Sequence, residues 1–137
     1  MKTHTTNYFD TFIEVAEDTK ASSGTKPPSK GDAKTVAEMQ YALVARSPYK
    51  YTSDDVLFRV YAERNDIPKD EHKIAREQFF SKGQACLRAS PLTKTYGFGV
   101  HSNSEGKIAL YGMETPEYEK LTKDTKVKKV KAMKSAR

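Results

Sequence analysis

The stretch that decides the fold is YGFGVHSNSEGKIALY, Tyr96–Tyr111. Two segments in which large apolar residues alternate with small or polar ones flank a five-residue polar link, SNSEG, that ends in glycine. Alternation with period two is typical of half-buried strands, and a short glycine-containing link between two such segments predicts a β-hairpin. We therefore expect Tyr96–His101 and Lys107–Tyr111 to pair as antiparallel strands.

The segments before this hairpin predict one strand and three helices. Tyr8–Val15 is rich in aromatic and β-branched residues, as strands are. Thr35 followed by Glu38 has the form of a capping box and begins a first helix. Thr52 or Ser53 is expected to cap a second helix. A third helix extends over Pro68–Lys82 with proline in its first turn.

Periodicity assigns inward faces to two of these elements. In the first strand, the better apolar side consists of Phe9, Thr11, Ile13 and Val15. Phe12 then shares the other face with Asp10 and Glu14; the alternative is that the strand is inverted. In the third helix, the inward residues are expected to be Ile74, Ala75, Phe79 and Phe80.

The remaining segments are shorter. Ala85–Arg88 is a candidate short strand, and Thr115–Leu121 opens as a helix with proline at its first position. Val127–Met133 is either a lysine-rich edge strand or a frayed basic tail.

This order of elements predicts an α+β fold, with three to four helices packed mainly on one face of a small antiparallel sheet. At 137 residues the chain suits one domain, residues 1–137. Within it, residues 17–31 form a polar loop that we expect at the surface, and residues 120–137 form a basic C-terminal segment.

Composition excludes several classes of protein. Eight tyrosines and six phenylalanines supply enough large apolar surface for a core, which excludes wholesale disorder. The single cysteine cannot form an internal disulfide and fits a reducing cytoplasm. No apolar run has the length of a membrane span, and the N-terminus lacks the apolar core of a signal peptide. We therefore expect a cytoplasmic protein without membrane association.

The positive charge is confined to the C-terminus. The net charge is +6, yet residues 120–137 contain eight lysines or arginines and one acid, whereas residues 1–119 are nearly balanced. A polyanion partner is therefore predicted only for this segment. Its candidate residues are Lys126, Lys128, Lys129, Lys131, Lys134 and Arg137. The alternative is that these lysines protect an edge strand from pairing with another chain.

A second candidate site lies at the first strand of the hairpin. If Tyr96, Phe98 and Val100 face the core, Gly97 and Gly99 leave the opposite face nearly bare of side chains. A ligand, a partner or the protein's own loop is then able to approach the backbone closely. The candidate ligand-binding residues are Arg88, Thr93, Lys94, Gly97, Gly99, His101 and Tyr111.

Catalytic and metal-binding motifs are absent from the sequence. Cys86 with His101 is the one pairing that resembles a nucleophile and base, but free cysteine is more often a buried apolar residue, so no catalytic residue is assigned. The three histidines lack metal-ligand spacing, and Gly97–Gly99 fails the dinucleotide fingerprint because no helix follows it. We predict no metal and no cofactor.

Four motifs carry a resemblance to a known family: HTTNY, PYKYTSDDVLF, FFSKGQACLRASPLTK and GKIALYG. They resemble a family of small bacterial proteins defined only as a domain of unknown function, and the similarity extends from His4 to the C-terminus. The resemblance implies a self-contained domain and no particular reaction. Ala85 and Phe98 depart from the proline and tryptophan expected there.

Three hypotheses of function follow. The first is a non-catalytic binding or interaction domain, with a homodimer through a sheet edge as one form of it. The second is a nucleic-acid-associated protein that uses the basic C-terminal segment. The third is a small-ligand enzyme or sensor with its site on the Gly97–Gly99 face.

Overall fold

The structure, a computed structural model, describes residues 4–28 and 35–134. The described residues form a four-stranded mixed sheet in the order β3-β2-β1-β4, together with five helices. The strands are β1 Thr11–Glu14, β2 Phe98–Ser102, β3 Ile108–Gly112 and β4 Lys128–Lys131. The helices are α1 Val36–Arg46, α2 Ser53–Arg64, α3 His72–Phe79, α4 Pro91–Lys94 and α5 Pro116–Lys123. The predicted α+β class is confirmed.

The predicted hairpin is formed by β2 and β3. These strands are antiparallel, with Val100 opposite Leu110. The Asn103 side-chain oxygen accepts hydrogen bonds from the backbone N–H groups of Glu105 and Lys107, which closes the link. Gly106 has a φ of +80°, a backbone conformation that glycine adopts without strain.

The sheet is mixed, whereas the sequence predicted an antiparallel one. β4 pairs with β1 in parallel, with Thr11 opposite Lys128. Because β1 and β3 are both antiparallel to β2, β3 and β4 run in the same direction. Two parallel strands of one sheet require a crossover connection, which is the role of α5. The strand option for the C-terminal segment is thus the one observed.

Helices cover both faces of the sheet. On one face, Ile13, Val100 and Ile108 pack with Val44 of α1 and Val56 of α2 in the main core. On the other face, the crossover helix places Tyr118 against Phe12, with ring centroids 5.0 Å apart and planes at 76°. Phe12 is consequently fully buried, and so are Thr11 and Ile13 on the opposite face of β1, so neither of the two orientations considered from the sequence describes this strand fully.

Two predicted inward residues are exposed. Phe9 is 56% exposed because Asp10, with a φ of +48°, interrupts the extended backbone before β1 begins. The third helix begins later than predicted, at His72, after a 3-10 turn over Lys69–Glu71. Ile74 is 63% exposed because α3 packs through Ala75 and Phe79, and Ile74 lies about 100° around the helix from Ala75. These two predictions were wrong.

The segment before α4 also differs from the prediction. The candidate strand Ala85–Arg88 is replaced by a 3-10 turn, Leu87–Ala89, whose Leu87 enters the main core. Ser90 then caps α4 by accepting a hydrogen bond from the N–H of Leu92. Among the described residues, no helix has the length and apolar character needed to cross a membrane.

Candidate functional site

A groove of about 470 Å³ lies between α2 and α3 and is termed the α2–α3 groove. It is bounded by Tyr51 and Phe58 on its apolar side, with Asp55 and His72 as further lining residues. Four cationic side chains line it among the described residues: Lys50, Arg59, Lys73 and Arg76. The groove therefore combines aromatic walls with an excess of positive charge.

The segment before α2 is held to the sheet, which fixes one wall of the groove. The N–H of Tyr49 donates to the Ile108 carbonyl, and the N–H of Ile108 donates to the Tyr51 carbonyl. Thr52 then caps α2, as predicted, and forms a capping box with Asp55. Lys50 and Tyr51 are thus placed at the groove by backbone hydrogen bonds on both sides.

The N-terminal segment connects both helices of the groove. The side chain of Asp54, at the start of α2, accepts hydrogen bonds from the Thr5 hydroxyl at 2.6 Å and from the Thr6 N–H at 2.7 Å. The N–H of His4 donates to the carbonyl of Phe80, just after α3. The HTTNY motif is therefore hydrogen-bonded both to the start of α2 and to the end of α3, which stabilises the position of the two helices.

Aromatic rings hold the two arginines of the groove. The Arg59 guanidinium carbon lies 5.0 Å from the centre of the Tyr51 ring. The Arg76 guanidinium carbon lies 6.0 Å from the Phe58 ring centre and 5.6 Å from that of Phe80. Cation–π contacts of this kind hold a guanidinium in place while its N–H edge stays available for an anion.

Asp55 further fixes Arg76. Its Oδ1 accepts a hydrogen bond from Arg76 Nη1 at 2.9 Å. Burial raises the pKa of the Asp55 carboxyl, but hydrogen bonds from Thr52 and from Arg76 outweigh that effect and hold the pKa below its ordinary value. Asp55 is therefore ionised at neutral pH and neutralises one of the four cations of the groove.

His72 lines the groove beside Phe58. Its Nε2 donates to the carbonyl of Ile67 at 2.9 Å, and its ring packs edge-on against Phe58 with centroids 5.4 Å apart. One ring nitrogen is thus committed to the backbone. The arrangement is suited to holding an anion by charge-assisted hydrogen bonds, since guanidinium groups match the geometry of carboxylates and phosphates.

The space beside the two glycines of the predicted ligand face is filled by the protein's own atoms. A Cβ on Gly97 would meet the carbonyl of Ser23, in the polar loop that follows β1. A Cβ on Gly99 would meet the rings of Phe12 and Tyr118. Glycine at these two positions is therefore explained by the close approach of the loop and of α5.

Two other residues of that prediction do come together. His101 and Tyr111 both lie near Tyr49, whose hydroxyl is 2.8 Å from His101 Nδ1 and 2.8 Å from the Tyr111 hydroxyl. Burial raises the pKa of Tyr49, and Tyr111 adds to this effect. Burial lowers the pKa of His101, while Asp10 and Asp124 partly oppose the shift.

The other three residues lie elsewhere. Thr93 is fully buried and its hydroxyl donates to the carbonyls of Leu87 and Ser90. Arg88 donates through Nε to the Lys131 carbonyl at 2.7 Å, on the edge strand β4. Lys94 is on α4, on the core side of β2, whereas His101 projects from the opposite face because side chains alternate along a strand.

Cys86 and His101 have different neighbours. The Cys86 sulfur lies 3.6 Å from the Tyr8 hydroxyl, and the cysteine is half-buried. His101 has Tyr49 as its hydrogen-bonding neighbour. Among residues 4–28 and 35–134, no group of three histidine, cysteine or acidic side chains is arranged to hold a metal ion.

The lysines of the C-terminal segment are partly engaged within the protein. Lys131 Nζ lies 3.3 Å from Glu14 Oε1, and Lys134 Nζ lies 3.4 Å from Glu17 Oε2, so both lysines form ion pairs. Lys129 Nζ donates to the carbonyls of Asp124 and Val127. Lys126 and Lys128 are exposed, and Arg137 lies outside the described residues.

Sequence reasoning missed the α2–α3 groove. It placed the positive charge at the C-terminus because cations in the rest of the chain are offset in number by acids. The available signal was local: Lys73 and Arg76 are three residues apart, hence on one face of α3, and Arg59 follows Asp55 at helical spacing on α2. The spacing of residues within each helix did not show that α2 and α3 pack next to each other.

Comparison with known proteins gives a family but no activity. The sequence profile of a family of unknown function, DUF6157, matches residues 3–137. The searches of curated proteins and of solved structures gave no match. Because the profile spans nearly the whole chain, the chain belongs to the family of unknown function DUF6157.

Proposed function

We propose that the protein is a non-catalytic interaction domain that binds an anionic group of its partner in the α2–α3 groove. The observation that carries the proposal is the convergence of cations from three separate segments on one groove, with Arg59 and Arg76 held against aromatic rings. Long cationic side chains lose conformational entropy on binding, and prior ordering reduces that loss. The groove is thus suited to recognition.

The polar groups of the groove support binding over catalysis. Asp55 is engaged by Thr52 and Arg76, and one ring nitrogen of His72 is engaged by the Ile67 carbonyl. A general base needs a group free to reach the proton that it removes. The proposal includes a reducing cytoplasm as the compartment, in keeping with the single cysteine.

The proposal is tested by titrating the ¹⁵N-labelled protein with citrate and with inorganic phosphate at low ionic strength. We expect chemical-shift changes at Lys50, Arg59, Lys73 and Arg76. The double substitution Arg59→Gln/Lys73→Gln should weaken citrate binding about tenfold or more, because two charge-assisted contacts are lost.

The matched control is Lys20→Gln/Lys82→Gln, which removes the same charge at exposed positions outside the groove. Equal citrate affinity of the groove variant and this control would overturn the proposal. Thermal unfolding of both variants establishes that they are folded.

Polyanion binding through the C-terminal segment is a second candidate function. The exposed side chains of Lys126 and Lys128, next to and within the edge strand, favour it. The engagement of Lys131 by Glu14 and of Lys134 by Glu17 reduces the charge that the segment offers to a phosphate backbone. Polyanion binding by the C-terminal segment is therefore less well supported than anion binding in the α2–α3 groove.

The homodimer through a sheet edge stays a prediction. The carbonyl of Lys131, on β4, accepts a hydrogen bond from the Arg88 side chain, and the N–H of Met133, two residues after β4, donates to the Arg88 carbonyl. A second copy that added a strand there would have to displace Arg88. Sedimentation of the wild type and of Arg88→Ala over a range of concentrations tests the idea.

A further inference from the structure

The α2–α3 groove continues along α2 into a second depression. This second part, of about 580 Å³, shares Arg59 and His72 with the first. Five α2 residues line the two parts: Asp55, Phe58, Arg59, Ala62 and Glu63. Each of them has another member of the set three or four positions away, so together they form one stripe of the helix. The two parts are therefore one groove along one face of α2.

The two parts differ in charge. The first has four cations against one carboxylate among the described residues. Beyond Arg59 and His72, the second part has the carboxylates of Glu63 and Asp66 against the single cation of Lys69, counted over the same residues. The groove is thus positive at one end and weakly negative at the other.

An apolar floor connects these ends. Phe58 in the first part and Ala62 in the second are both buried, and Ile67 is half-buried beside them. The rise along α2 from Asp55 to Glu63 is about 12 Å, at about 1.5 Å per residue. An extended peptide covers this length with about four residues, at about 3.3 Å each.

The shape of the groove favours a peptide over a small molecule. Both parts are open to solvent along one side. Small-molecule sites usually surround their ligand and bury most of its surface, whereas an open groove contacts one side of an extended chain. An open groove with an apolar floor and charges of opposite sign at its ends is complementary to a chain segment with the reversed charges.

We propose that the occupant of the groove is an extended peptide segment of a partner protein, with acidic residues at the Lys73–Arg76 end and a basic residue about four positions away at Glu63 and Asp66. This inference rests on the proposed function, since the acidic end of the peptide is the anionic group assigned to the α2–α3 groove. The basic residue adds a second requirement that a simple anion does not meet.

The test uses two fluorescein-labelled seven-residue peptides and two proteins. One peptide has two glutamates and two lysines separated by three small neutral residues, and the other has glutamines in place of the lysines. The proteins are the wild type and Glu63→Gln/Asp66→Asn, whose exposed positions tolerate the exchange; asparagine also suits the φ of +50° at residue 66.

We expect the wild type to bind the glutamate–lysine peptide at least fivefold more tightly than the glutamate–glutamine peptide, as measured by fluorescence anisotropy. The variant should lose this preference, because the carboxylates that contact the lysines are absent from it. That pattern separates a specific contact of the lysines from a general effect of net charge.

Each other outcome overturns the inference. Equal binding of the two peptides by the wild type, or an unchanged preference in the variant, removes the role of Glu63 and Asp66. Tighter binding of a single-stranded oligonucleotide than of either peptide assigns the groove to nucleic acid. If citrate binds but neither peptide does, the anion-binding proposal stands and the peptide fails; if nothing binds, both fail.

Discussion

Asp55 fixes Arg76 through a 2.9 Å hydrogen bond from Nη1 to Oδ1 that joins α2 to α3. The other carboxylate oxygen of Asp55 accepts from the N–H of Thr52 and so completes the capping box of α2. One side chain therefore begins a helix and also holds a cation of the groove.

Substitution of Asp55 should reduce stability. We expect Asp55→Asn to lower the free energy of unfolding by about 1–2 kcal/mol, because it weakens the helix cap and removes a partly exposed ion pair. The pKa of this carboxyl is lower in the folded than in the unfolded state. Its contribution is therefore present above the unfolded pKa and lost as pH falls through the folded value, below about pH 4.

Urea denaturation between pH 2.5 and pH 7 checks this prediction. The stability difference between the wild type and Asp55→Asn should narrow as the pH falls below about 4. Glu77→Gln, an exposed acid on α3, is the control and should unfold like the wild type at neutral pH. A constant difference across the whole range would contradict the assigned pKa direction.

Gly99 should not tolerate a side chain. In Gly99→Ala the new methyl group meets Phe12, which is fully buried, and comes within 2.8 Å of the Tyr118 ring. Overpacking of this kind costs about 1–3 kcal/mol. We expect a loss of that size in urea denaturation.

Gly83→Ala is the matched control for Gly99→Ala. Apart from its two chain neighbours, no described residue has an atom within 4 Å of a Cβ at position 83. This variant should unfold within about 0.5 kcal/mol of the wild type, as surface substitutions usually do. If Gly99→Ala were equally harmless, α5 would not pack on β2 as described.

His101 should make stability depend on pH near neutrality. Burial lowers its pKa below the ordinary value of 6.5, so the unfolded chain binds this proton more readily than the folded one. The contribution of the neutral ring is complete above about pH 6.5 and falls as the pH decreases toward the folded pKa. We expect the urea midpoint to decrease between pH 7.5 and pH 5.5.

His101→Gln should lose much of that pH dependence, whereas His4→Gln, at an exposed position, should keep it. An NMR titration of the histidine ring protons measures the pKa directly. A pKa for His101 above 6.5 in the folded protein would reverse the sign of the effect and refute the prediction.

The polyanion hypothesis predicts weaker heparin retention for Lys126→Gln/Lys128→Gln. Each lysine that contacts an anion contributes to a salt-dependent affinity, so the variant should elute at a lower salt concentration than the wild type. Substitution is preferable to deletion of residues 126–137, because deletion removes β4 and with it the edge of the sheet. Lys20→Gln/Lys82→Gln is the charge-matched control, and equal elution of the two variants would exclude a special role for the segment.

Much of the local structure was predictable because it depends on neighbouring residues. The hairpin was predicted from the period-two alternation around a glycine-containing link. The start of α1 was predicted from Thr35, whose hydroxyl accepts a hydrogen bond from the N–H of Glu38. The start of α5 followed from Thr115 and Pro116. Each of these signals lies within a few positions of the structure that it specifies.

The parts that were not predictable depend on distant residues. The parallel pairing of Thr11 with Lys128 joins opposite ends of the chain. Burial of Phe12 depends on the crossover of α5, which brings Tyr118 to a face that appeared to be polar. To predict the α2–α3 groove, one would likewise have to know which helices are neighbours. Hydrophobic periodicity shows which face of a helix is buried but not which helix packs against that face.

The parallel pairing of β1 with β4 also has a consequence for folding during synthesis. β1 leaves the ribosome long before its neighbour β4, because Thr11 and its partner Lys128 are far apart in the sequence. Until β4 has been synthesised, β1 has an unpaired edge on that side, and contacts between such distant segments form late because a long loop must close. We therefore expect nascent chains that stop before β4 to be the most vulnerable to proteolysis and aggregation.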